Sequence, residues 1–149
     1  MPLFLLLHLV SVVVWVGGMF FAYMALRPVA ASVLEPPQRL TLWAGVFGKF
    51  FPWVWASVAL ILATGLHMLM ALGAAAPHYA LAMLALGVVM MLIFAHVFFA
   101  PYKKLKRAVA AQDWKAGGAA LGQIRMLIGI NLSLGLLTIA VVFLGRALA

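Results

Sequence analysis

The stretch LFLLLHLVSVVVWVGGMFFAYMAL, residues Leu3–Leu26, decides the fold. At 1.5 Å per residue it is long enough to cross a hydrocarbon layer of about 30 Å. It carries no Lys, Arg, Asp or Glu, and its one titratable side chain of the imidazole type is His8. An imidazole at membrane depth is expensive to desolvate unless it has a partner. What faces His8 is therefore the question that the remaining segments must answer.

Composition extends the same reading to the whole chain. Of 149 residues, 68% are hydrophobic and 8% charged, and the mean hydropathy is +1.23. A soluble domain would carry about 25% charged residues, so this is an integral membrane protein. No cysteine is present, which removes disulfides, thiolate metal sites, iron–sulfur clusters and cysteine nucleophiles. The four histidines and nine methionines are then the available soft-metal or haem ligands. A net charge of +8 would point to nucleic acid in a soluble protein. Here the cations flank apolar runs, so the expected partner is the lipid bilayer and not nucleic acid. The N-terminal run lacks a basic leader and a cleavage site after a short core, so it is expected to stay in the mature protein.

Four segments reach spanning length, at about residues 3–26, 50–72, 78–99 and 124–144. The fold class expected is an all-α integral membrane protein, a single antiparallel four-transmembrane-helix bundle. Arg27-Pro28 is expected to close the first span. An interfacial helix from Leu40 is expected to lead into the second, with Pro52 starting or kinking it. Leu105, Val109 and Trp114 of the basic stretch after Pro101 are expected on a membrane surface, and Gly117-Gly118 is expected to break that stretch.

Topology follows from the cations. Arg27, Arg39 and Lys49 fall on the same side as Lys103, Lys104, Lys106, Arg107, Lys115 and Arg125, with Arg146 opposite. By the positive-inside rule the basic connections are cytoplasmic and both termini periplasmic, in a bacterial-type inner membrane. His8 and His67 then both lie about 7–8 Å into the outer leaflet on adjacent antiparallel helices. His78 falls at the outer interface and His96 at the opposite end. Gly17, Gly18, Gly65, Gly87, Gly129 and Gly135 would let backbones approach. Asn131, Gly135 and Thr138 share one face of the last span, which points inward because an Asn at this depth needs a partner.

Three constellations can carry chemistry. The His8/His67 pair suits bis-imidazole ligation of haem b inside a bundle, with Trp15 as aromatic surface one heptad away; the alternative is two independent histidines, each bonded to a carbonyl, Ser or Thr. His96, Arg27, Lys49 and Arg125 form a basic cluster suited to carboxylates such as propionates, or else to lipid phosphates. His67, Met68 and His78 near the outer surface would receive copper, although methionine is also ordinary filler in apolar helices. No Walker loop, zincin motif, nucleophile elbow or intramembrane carboxylate is present.

His8-x6-Trp15-x-Gly17-Gly18 followed by Arg27 resembles the first helix of the copper resistance D (CopD) family, related to the HemJ-type protoporphyrinogen oxidases. Thr64-Gly65-Leu66-His67-Met68 is similar to that family's second helix, and Phe94-Ala95-His96-Val97-Phe98-Phe99-Ala100-Pro101-Tyr102 with its basic loop to the third. The chain reads Ala25-Leu26-Arg27-Pro28 and Ile130-Asn131-Leu132-Ser133 where HemJ-type chains place Leu-Pro-Arg and Asn-Glu-x-Pro elements, so it resembles CopD more closely. The resemblance implies a four-helix inner-membrane bundle with a copper-linked role, or haem b and porphyrinogen oxidation on the HemJ side. The leading expectation is a haem-b redox protein with His8 and His67 as iron ligands and Trp15 beside them; Arg27, Arg125 and His96 are expected as further cofactor-binding residues toward the basic end, where His96 cannot share the His8 site. It would act as an oxidoreductase, if an enzyme at all, exchanging electrons with a quinone, superoxide, porphyrinogen or a respiratory partner. The alternatives are copper handling (transport or resistance) and a non-catalytic accessory subunit of a larger complex; a homo-oligomer would fit any of the three.

Overall fold

The computed structural model describes residues 2–148, and every regular element in it is helical. Helix α1 (Pro2–Phe21) passes through a π turn (Ala22–Leu26) into α2 (Arg27–Val33). Then follow α3 (Pro36–Leu72), α4 (His78–Phe99), α5 (Pro101–Ala110) and α6 (Trp114–Leu148). The four long helical runs are each long and apolar enough to cross a membrane. Helices α1 and α3 form one antiparallel pair and α4 and α6 the other, with α5 laid against α6 and α3. This is the all-α four-helix bundle that the hydropathy pattern predicts.

The helical runs continue past Pro28 and past Gly117-Gly118, each for a physical reason. Pro28 does not end the helical run; it sits in the first turn of α2. Proline lacks an N–H and crowds the carbonyl four residues back. The π turn accommodates this, and its wider ring is visible in the Arg27 N–H bonding to the Ala22 carbonyl. Pro52 lies inside α3, a single long helix, which is one of the two places expected for it. That helix is about 55 Å long, longer than the thickness of a 30 Å hydrocarbon layer. Gly117-Gly118 lies within α6. A Cβ on Gly117 would come 3.0 Å from the Leu40 side chain and 3.5 Å from that of Ala108. The glycine serves close approach of α6 to α3 and α5 and does not break the helix.

Helix α5 is basic, and its apolar side is turned into the bundle. Pro101, Tyr102, Leu105 and Ala108 are buried, and Leu105 is fully buried in the bundle, which corrects its expected place on a membrane surface. The core beside α5 is aromatic. Phe47 and Phe51 stack at 4.9 Å, and Phe94 and Tyr102 meet Phe51 edge-on at 5.3 and 4.9 Å. Trp15 joins this core at 6.3 Å from Phe94. Asn131 points inward as expected, its Nδ2 donating to the Met90 carbonyl at 3.1 Å. Gly135 lets α6 close on Val16 and Met90. In the other half of the bundle burial thins out: α4 has no buried residue before Met90, and in α3 burial ends at Thr64.

Candidate functional site

The α1–α3 seam carries the buried polar side chains His8, Ser11, Ser57 and Thr64. His8 Nδ1 lies 3.0 Å from Thr64 Oγ1, a contact spanning the two helices. Thr64 Oγ1 also lies 2.5 Å from the Leu60 carbonyl. Two oxygens that close need a proton between them, so the hydroxyl donates to Leu60 and has only lone pairs left for the imidazole. Neutral His8 therefore donates from Nδ1–H, and its unprotonated nitrogen is Nε2. Gly65 secures the ring from the α3 side. A Cβ there would stand 3.4 Å from His8 Cε1, so the backbone of α3 passes close to the imidazole.

His67 is not opposite His8. It is exposed and stacks on Phe4, with ring centroids 4.2 Å apart and planes tilted by 30°. Phe4 precedes His8 by one turn and His67 follows Thr64 by one turn, so the seam has two rungs. The inner rung is His8–Thr64 and the outer is Phe4–His67. Met68 is half-buried next to the outer rung. His78 begins α4 and is exposed. Among the described residues no three His, Cys, Asp or Glu side chains gather as a metal-binding group.

At the basic end of the bundle a cavity of about 430 Å³ opens among α2, α3 and α6. Arg27, Arg39, Lys115 and Arg125 line it, with Trp43 and Trp114 among its apolar walls. Arg27 Nε donates to the Tyr23 carbonyl at 3.1 Å, and its guanidinium lies 4.6 Å over the Tyr23 ring. Arg39 Nη2 donates to the carbonyls of Ala31 and Leu34 at 3.1 and 3.0 Å, tying down the end of α2. Arg39 Nε is buried and makes no hydrogen bond.

The structure thus brings Arg27 and Arg125 to one cavity and leaves His96 and Lys49 outside it, both exposed. Trp15 packs in the aromatic core beside Phe94. Thr64 had a signal in the sequence, as a hydroxyl one turn from His67 on a spanning helix. Arg39 had one too, but only if α3 starts at Pro36 and not at Leu40.

The family model described as Copper resistance protein D matches residues 44–144, more than half of the chain. No curated protein and no solved structure matches. The chain belongs to the copper resistance D (CopD) family. The match begins within α3, so His67, Met68, His78, His96 and Arg125 fall inside it, and His8, Trp15 and Arg27 outside.

Proposed function

We propose that this member of the copper resistance D family binds copper as cargo at the end of its multi-pass bundle opposite the basic cavity, with His8 as the ligand prepared by the fold. One observation carries the reading: Thr64 holds the Nδ1 side of His8. Fixing one imidazole nitrogen by a hydrogen bond selects the tautomer and raises the basicity of the other, as is common for metal-bound histidines. A neutral imidazole suits copper, and the Met68 thioether is a soft donor that favours Cu(I). His67 and Met68 follow Thr64 by three and four residues, one turn toward the helix end. His78 is the further candidate at the same end. By the positive-inside rule this end faces the periplasm.

The fit of haem b is poorer. Two imidazoles on successive turns of one seam, beside Phe4, favour it. The close passage of the Gly65 backbone at His8 works against a porphyrin slipped between α1 and α3. Electron exchange with a quinone, superoxide, porphyrinogen or respiratory partner depends on that haem. An accessory role in an oligomer or larger complex fits the unburied outer half of α4.

Purified full-length protein titrated with Cu(I) against a chromogenic chelator separates these readings. One equivalent bound by the wild type and lost in His8→Ala supports the proposal. A dithionite-reducible Soret band that disappears in His8→Ala and His67→Ala would replace it with haem. A protein that takes up neither would be the accessory subunit.

A further inference from the structure

From the basic-end cavity we infer a binding site for the phosphate group of an anionic phospholipid, with the arginines on the phosphate and the apolar wall along the chains. Four cations line a single cavity. The chain has only two acidic residues, Glu35 and Asp113, and neither lines it. Like charges facing one partly enclosed space repel, and an anion among them turns each repulsion into an attraction. Arg39 adds an independent sign. Two carbonyls hold its Nη2, while its Nε–H is buried with no acceptor. A buried donor of that kind calls for an acceptor that the chain itself does not supply.

The space is suited to such a guest. At about 430 Å³ it falls in the range of small-molecule sites, about 300–1,000 Å³. Gly118 and Gly122, one helical turn apart on α6, line it, and a Cβ on either would meet nothing within 4 Å. Planar guanidinium groups match phosphate oxygens in pairs. Leu40, Trp43 and Phe47 of α3 supply the apolar wall. Basic pockets between spanning helices are a recurrent form of lipid headgroup site. This inference does not depend on the copper reading, and either can fail alone.

The test is native mass spectrometry of the full-length protein in detergent. Phosphatidylglycerol and phosphatidylcholine of identical acyl chains are added separately, with inorganic phosphate as the soluble control. Phosphatidylglycerol should be retained in preference, and Arg39→Gln and Arg125→Gln should each weaken it about fivefold. The double variant Lys103→Gln, Lys104→Gln, which removes charge outside the cavity, should leave retention unchanged. Arg39 also holds α2, so the second arbiter is Gly122→Leu, which fills the space without changing charge and should lower retention equally. Equal retention of the two lipids would overturn the inference. So would loss in the Lys103/Lys104 variant matching the arginine variants, or retention unchanged in Gly122→Leu. Complete displacement of the lipid by millimolar inorganic phosphate would overturn the lipid assignment in favour of a soluble anion.

Discussion

The two halves of this bundle are held by different physics. At the basic end, α5 and the aromatic cluster around Phe51 make a core like that of a soluble protein, and the cavity beside it is ringed by cations. At the opposite end few apolar side chains are buried, and α1 meets α3 through the His8–Thr64 hydrogen bond and the Phe4–His67 stack. Hydrocarbon removes the hydrophobic drive between helices, so close packing and polar contacts must specify the pairing. The sparsely packed half can therefore commit a buried imidazole to one orientation with little else around it. The basic half can hold a cavity open because its surroundings are packed.

The largest effect should come from removing that imidazole. His8→Ala should weaken Cu(I) binding more than about 100-fold, the upper end of what loss of a mere hydrogen-bond partner does. Lipid selectivity at the other end should not change. Thr64→Val should weaken copper by about 10–100-fold, because Nδ1–H then has no hydroxyl to hold it. Thr64→Ser, which restores the hydroxyl, should recover most of the loss. A Thr64→Val protein with wild-type copper affinity would break the comparison, since it would reduce the seam to packing.

Much of the fold was legible because hydropathy over about 20 residues reports a span whatever its neighbours are. The third span coincides with α4, from His78 to Phe99. Helix continuity was less legible at Pro28 and Gly117, which depend on local and tertiary context. A π turn absorbs the first and close approach of Leu40 explains the second, whereas Pro52 lies inside one long helix, one of the two places expected for it. At the candidate site, depth was readable but helical phase was not. Thr64 and His67 lie one turn apart on α3, yet only Thr64 meets His8, while His67 meets Phe4. Arg39 was hidden by the start of α3, since a helix from Pro36 makes it part of the wall.

A substitution at the level where the halves meet should affect stability without favouring either end. A Cβ on Gly135 would come 3.0 Å from Val16 and 3.2 Å from Met90. Gly135→Leu should therefore overpack the junction and destabilise the protein by about 1–3 kcal/mol, read as a lower thermal midpoint in detergent. The relative effects of His8→Ala on copper and of Arg125→Gln on lipid should persist in that background. If Gly135→Leu abolished copper binding at temperatures where the bundle stays folded, the two ends would be coupled rather than separate.

The smallest effects make the sharpest contrast, because Gly17 and Gly18 are adjacent. The Phe50 ring occupies the place where a Cβ on Gly18 would go, whereas Gly17 has nothing within 4 Å of that position. Gly18→Ala must turn the Phe50 ring in a half-buried setting and should destabilise by about 1 kcal/mol. Gly17→Ala meets no neighbour, so only the backbone term remains; alanine restricts the unfolded chain and favours helix. Its thermal midpoint should be equal to or slightly above that of the wild type. Equal losses in the two variants would mean that α1 needs flexibility along the whole Gly-Gly step. The expected asymmetry would mean that it needs only one close approach to α3, which fixes how α1 presents His8 one end away.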